Sequence, residues 1–109
     1  MTPEKKVQKE IIKLLKSKDV FFERRQAGGF SYKKGIPDLY AVVNGQHLEI
    51  EVKKPGGKLS PMQEKFRDMC SVKNILWICV EHITQLEILL NELIWDKIKL
   101  AINVSFIWQ

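Results

Sequence analysis

Cysteine and histidine are scarce in this chain, with two of each among 109 residues. Cys70 and Cys79 stand in apolar surroundings without CxxC or Cys/His spacing. A disulfide framework and a thiolate zinc site are therefore excluded as organising features, and both residues are expected to be buried free thiols of a reducing compartment. His47 and His82 have no partner at metal-ligand spacing and are read as structural. No apolar run approaches the roughly 20 residues that a membrane-spanning helix needs, so no membrane is expected as partner. The charged, helix-patterned N-terminus does not read as a signal peptide. The length suits one domain with a real core and is too small for two.

Acidic charge is also short where it would matter for binding. Residues 1–58 carry thirteen Lys and Arg against seven Asp and Glu, whereas residues 59–109 carry five against six. The whole net charge of +5 thus belongs to the first half. Each phosphate neutralised by a protein cation releases counterions, so a basic half favours a polyanion partner. A plain solvated lysine surface gives the same composition, and charge alone does not choose between them.

What the sequence does have is concentrated between Gly35 and Lys53, G-I-P-D-L-Y-A-V-V-N-G-Q-H-L-E-I-E-V-K. Asn44-Gly45 is the strongest short-range hairpin signal, because a type I′ turn needs two residues that tolerate positive φ. If Val43 faces Gln46, then Asp38 faces Glu51, and alternation puts Lys53 on the same face. The opposite face collects Leu39, Ala41, Leu48, Ile50 and Val52, as a core-facing surface should. Carboxylates opposed across a hairpin repel, and Glu49 crowds the same side, so the arrangement calls for a cation. Mg²⁺ takes oxygen ligands from one or two carboxylates plus water and phosphate, and Asp38 and Glu51 can supply them.

Around this stretch the chain reads as alternating elements. Thr2-Pro3 looks like an N-cap and first helical residue, opening a helix to about Ser17 whose apolar stripe is Val7, Ile11, Leu14 and Leu15. At helical spacing Glu4 falls inside that stripe; it either serves the site or merely complements the helix dipole. Gln8, a turn further, is either a surface glutamine or a partner for a metal's water shell. Val20–Arg24 reads as a short aromatic-rich strand. Residues 24–35 then form a basic loop, with Arg24, Arg25, Lys33 and Lys34 for phosphates and Phe30 or Tyr32 for stacking on an unpaired base. A solvated connection is the plainer reading of the same loop.

Beyond the hairpin, Lys54-Pro55-Gly56-Gly57-Lys58 cannot continue a ladder. Ser60-Pro61-Met62-Gln63 opens a second helix with Met62, Phe66, Met69 and Cys70 as its apolar face. Gln63 completes a capping box with Ser60, which explains the spacing without chemistry. Ile75–Val80 has the continuous apolar pattern of a strand buried on both faces, so strand, helix and strand form a parallel crossover. Thr84–Glu87 reads as a further capping box, starting a helix that packs Leu86, Leu89, Leu90 and Leu93 on the sheet. From Ile98 to Trp108 apolar residues alternate with others, the pattern of a strand. An exposed apolar strand aggregates, so this one is expected to add to the sheet edge or pair two chains into a homodimer.

The residues I-P-D, then E-V-K after twelve intervening residues, with Gly35 ahead and G-G-K-L-S-P-x-Q behind, resemble the virus-type replication-repair nuclease domain, VRR-NUC. That family belongs to the restriction-endonuclease-like PD-(D/E)XK superfamily, and the resemblance runs over about residues 4–93, leaving 96–109 as a C-terminal extension. It implies an α/β fold in the order α-β-β-β-α-β-α with a mixed central sheet, to which the alternating tail adds an extra strand.

For activity the resemblance implies a metal-dependent DNA endonuclease using Mg²⁺, for which Mn²⁺ substitutes, and no nucleotide cofactor. Asp38, Glu51 and the Val52 backbone carbonyl would hold the metal. Lys53 would act on the attacking water or the phosphate, and Glu4 from the first helix would complete the acidic site. Gln8, Gln63 and Glu49 are secondary site candidates. Arg24, Arg25, Lys33, Lys34, Lys54 and Lys58 are the expected DNA contacts. Small stand-alone relatives are associated with junction resolution, so branched, flap or four-way-junction DNA is the expected substrate. The alternatives are a sequence-independent single-strand nuclease and a non-catalytic nucleic-acid-binding module. The expected setting is the cytoplasm of a bacterial or phage-infected cell.

Overall fold

A computed structural model describes residues 1–25 and 35–107, with side chains through residue 96. The expected contacts Lys33 and Lys34, and the stacking candidates Phe30 and Tyr32, lie outside the described residues. Helix α1 (Pro3–Ser17) leads into strand β1 (Phe21–Arg24), then β2 (Leu39–Val43) and β3 (Gln46–Val52). Helix α2 (Pro61–Val72), strand β4 (Leu76–Val80) and helix α3 (Ile83–Ile107) complete the chain. The strands form one sheet in the order β1-β2-β3-β4. β1 and β3 each pair antiparallel with β2, while β4 runs parallel to β3. This is the expected mixed α/β architecture.

The hairpin has the register its turn dictates. Asn44 and Gly45 both adopt positive φ, 53° and 82°, and Val43 pairs with Gln46 and Leu39 with Ile50. Alternation then buries Leu39, Ala41, Val43, Leu48, Ile50 and Val52 on one face. Val7, Ile11 and Leu15 of α1 and Leu86 and Leu90 of α3 close the core over that face. The Asn44 side chain also donates to the Leu93 carbonyl (3.1 Å), tying the hairpin tip to α3.

Helix ends follow local chemistry. The Thr2 hydroxyl accepts from the Lys5 N–H, and Pro3 occupies the first turn, where no intrahelical donor is lost. Both α1 and α2 end in Schellman turns whose left-handed residue is not glycine. Asp19 (φ 54°) precedes the Val20 N–H bond to the Leu15 carbonyl, and Asn74 (φ 58°) precedes the Ile75 N–H bond to the Cys70 carbonyl.

Four expectations are corrected. The segment from Ile98 continues α3 to Ile107 and forms no extra strand. No glycine or proline interrupts residues 83–107, and extending an established helix costs far less than starting a new element. Second, α3 does not begin with a Thr84–Glu87 capping box: the Gln85 Oε1 accepts the N–H groups of Glu81 and His82 instead, one turn earlier. Third, Met62 is exposed, because the inward stripe of α2 runs through Gln63, Phe66 and Cys70. Fourth, β4 is an edge strand that is mostly half-buried, with Cys79 half-buried as well, and not sealed on both faces. Both cysteines are free.

Candidate active site

The face of the sheet opposite the core carries the charged residues. Asp38 immediately precedes β2, and its Oδ2 accepts the Val52 N–H at 3.0 Å, so the carboxylate is anchored across the hairpin to the residue after Glu51. Glu51 is only 2% exposed. Its Oε1 accepts from the Gln63 Nε2 (2.8 Å) and lies 4.0 Å from the Lys53 Nζ. Its Oε2 is buried with no hydrogen-bond partner. Burial first, and then the Asp38 charge, push the Glu51 carboxyl up to about 8, with Lys53 pulling the other way. A buried carboxylate beside another, with one oxygen unsatisfied, is stable only with a proton or a cation.

Gln63 performs both roles its position allowed. It completes the capping box with Ser60, its Oε1 accepting the Ser60 N–H at 2.8 Å, and the same amide turns its Nε2 onto Glu51. The amide is thereby oriented by the helix start before it meets the carboxylate. Gly35 allows this approach. At φ +88° it passes so near the first turn of α2 that a Cβ would come within 2.4 Å of the Met62 carbonyl oxygen.

Glu4 is exposed in the first turn of α1 and does not lie within the buried stripe, which begins at Val7. Its charge adds a smaller push to the raised Glu51 value, after burial and Asp38. Gln8 is half-buried. Lys53 is on the site face with its side chain 15% exposed, while Lys54, Lys58 and Arg24 are exposed.

Arg25 and Glu49 form a second cluster beside this one. The Arg25 guanidinium forks onto both Glu49 oxygens at 2.5 and 2.9 Å, and Glu49 also meets the Nε2 of His47. Burial alone would raise the Glu49 carboxyl, but Arg25 and His47 together hold it below its ordinary range. The Tyr40 ring stacks on His47 with centroids 5.0 Å apart, and the Arg25 guanidinium lies 5.0 Å from the same ring. Arg25, expected as a phosphate contact, is thus engaged inside the protein. The sequence reading missed this pairing, although a cation was needed for Glu49 as much as for Glu51.

Among the described residues, no three of His, Cys, Asp and Glu gather closely enough to form a metal cage. The carboxylates that stand together on this face are Asp38 and Glu51. Mg²⁺ is suited to that pair, since it usually keeps several waters and takes one or two carboxylates. The orphaned Glu51 Oε2 is the observation that makes the residues fit such an ion.

A mixed sheet carrying an opposed acid pair and a lysine at the mouth of a hairpin, flanked by helices, defines a restriction-endonuclease-like domain of nuclease type. The chain belongs to the VRR-NUC domain family, whose model matches residues 4–81. A solved structure described as a VRR_NUC domain superposes with a TM-score of 0.72 at 20% identity, covering 84% of this chain and 97% of that one. That likeness concerns the fold. Comparison with curated proteins finds no match. No helix among the described residues is long and apolar enough to cross a membrane.

Proposed function

We propose that this VRR-NUC domain is a divalent-metal-dependent endonuclease that hydrolyses phosphodiester bonds of DNA selected by shape. The observation that carries the reading is the buried, half-unsatisfied Glu51 carboxylate beside Asp38, with Lys53 alongside. A non-catalytic nucleic-acid binder gains nothing from opposed carboxylates facing a phosphate.

Asp38 and Glu51 would hold Mg²⁺ or Mn²⁺, with the Val52 carbonyl as a further oxygen donor and Glu4 contributing from the exposed first turn of α1. A bound dication supplies an activated water and offsets the charge that develops on the phosphate. The Val52 N–H and the Gln63 amide each hold one carboxylate in orientation. Lys53, fixed on the same face, presents its Nζ to the phosphate oxygens. Lys54 and Lys58 grip neighbouring phosphates without reading bases. Shape selection is supported by the outward helix faces, which carry mixed charge, as Lys9 and Glu10 of α1 and Glu64, Lys65, Arg67 and Asp68 of α2 do, and so offer contacts to phosphates more than a set of base-reading side chains.

The test is a cleavage panel in Mg²⁺ and in Mn²⁺ on linear duplex, single strand, flap and four-way junction of matched sequence. Branched substrates should be cut fastest, with Asp38→Asn and Lys53→Ala each losing at least about 100-fold in kcat while the fold and DNA affinity persist. Equal rates on duplex and junction would defeat shape selection, single strand cut fastest would move the reading to a single-strand nuclease, and cleavage by either variant at the parent rate would defeat the site. The same domain is proposed to act as a homodimer. The extra strand first expected to pair two chains is helical, but Ile88 and Trp95, seven residues apart on α3, stand 62% and 59% exposed on one face. A two-fold pairing covers both copies of that face at once.

A further inference from the structure

Asp38 lies ahead of the first ladder residue of β2, Leu39, so strand pairing between β2 and β3 does not by itself set its position relative to Glu51. Arg25 makes up that shortfall. Its backbone N–H donates to the Asp38 carbonyl at 2.8 Å, extending the β1–β2 pairing by one residue. Its Nη1 donates at 3.1 Å to the carbonyl of Pro37, the buried residue immediately before Asp38. The same guanidinium grips both oxygens of Glu49, which stands two residues before Glu51 on the same face of β3. One planar group thus joins the backbone that carries the first carboxylate to the strand that carries the second. Tyr40 braces the guanidinium plane. An ordinary salt bridge would need Glu49 only, and the contact with the Pro37 carbonyl is the part that such a role leaves unexplained. Lysine could not reproduce the arrangement, because a single ammonium lacks the fork that reaches a carboxylate and a carbonyl together.

We propose that Arg25 is a positioning residue that fixes the separation of the Asp38 and Glu51 carboxylates, and through it the affinity for the divalent cation, without touching DNA. The proposal rests on the reading that these two residues hold the metal. Its test uses two variants of the full chain. Arg25→Lys keeps a positive charge beside Glu49. The double variant Arg25→Met/Glu49→Leu replaces the buried Glu49 charge and its half-buried Arg25 partner with apolar groups of similar volume, a change often neutral for stability, yet still deletes the Pro37 contact. Thermal melts establish folding. The Val52 amide, which donates to the Asp38 carboxylate, then reports the position of Asp38 by hydrogen exchange without metal or DNA.

In both variants that amide should exchange at least about 10-fold faster, while the Leu48 and Ile50 amides keep the parent rate. Mn²⁺ affinity, read by electron paramagnetic resonance, should fall about 10- to 100-fold, as when the supports of metal ligands are removed. kcat should fall with it and KM for DNA should hold. A folded double variant with parent Val52 exchange and parent Mn²⁺ affinity would reduce Arg25 to a folding salt bridge and overturn the proposal. So would failure of both variants to fold, or a rise in KM with Val52 exchange unchanged, which would make Arg25 a DNA contact. If the parent protein neither binds Mn²⁺ nor cleaves DNA, the nuclease reading fails; Val52 exchange still decides whether Arg25 positions Asp38.

Discussion

Glu51 concentrates the physical tension of the molecule in a single side chain. A carboxyl whose value rises from 4.5 to about 8 on folding is protonated in the native state over a range where the unfolded chain has already released the proton. The native state therefore binds more protons between those limits, and stability must fall as pH rises through that window. With divalent ions chelated, the melting temperature should drop steadily from pH 5 to pH 8.5, by an amount equivalent to about 3–5 kcal/mol at 1.4 kcal/mol per unit. Glu51→Gln should flatten the profile, since its amide has no proton to lose. Added Mn²⁺ should recover stability at pH 8.5 in the parent and much less in the variant, because a ligand that binds only the native state stabilises it. Scanning calorimetry across this range checks all three, and a parent profile that rises with pH would reject the buried-acid account.

At the scale of elements, the site depends on how closely the segment before β2 approaches the start of α2. Gly35 is the contact point: any side chain there meets both an unfavourable left-handed backbone and the Met62 carbonyl oxygen 2.4 Å from its Cβ. Gly35→Ala should cost at least about 2 kcal/mol, since a left-handed non-glycine residue alone costs roughly 1–2. The damage should extend to function, because displacing α2 withdraws Gln63 from Glu51. Chemical denaturation together with Mn²⁺ binding checks this. A variant as stable as the parent would show that the approach is looser than the backbone geometry indicates. Gly45→Ala offers the control, as its Cβ would meet nothing within 4 Å although its φ of 82° is similar. It should pay the backbone strain alone and leave the site intact.

On the scale of the whole molecule, the charge distribution and the exposed face of α3 set what the domain meets. The first half of the sequence carries the positive excess and also holds the acid pair, so in the proposed reading DNA would be drawn to the half that carries the site. The apolar face of α3 would be covered in a dimer. Light scattering at micromolar concentration should give twice the chain mass, and Ile88→Glu with Trp95→Glu should return a monomer that still binds Mn²⁺. A soluble full-length monomer at that concentration would reject the dimer. The paired sites of a dimer would suit symmetric nicking of a four-way junction, and the monomeric variant should then leave single nicks.

The sequence by itself determined the hairpin and what it brings together. Asn44-Gly45 dictates a turn with two positive φ angles, that turn fixes the register, and the register puts Asp38 and Glu51 on one face, away from Leu39, Ala41, Leu48, Ile50 and Val52, without setting how closely they approach. Each step is local, so it could be read without knowing the rest of the fold. The order of helices and strands was legible for the same reason, through capping residues and periodicity. Contacts between segments distant in the chain were decided only by the tertiary structure. No spacing announces that Arg25 pairs with Glu49, or that the inward stripe of α2 begins with Gln63 and leaves Met62 outside, because both depend on how elements dock. Ile98–Ile107 shows the limit from the other side. Its alternation fits a strand, but the uninterrupted helix that precedes it supplies hydrogen-bond partners at each step, and that continuity outweighs the pattern.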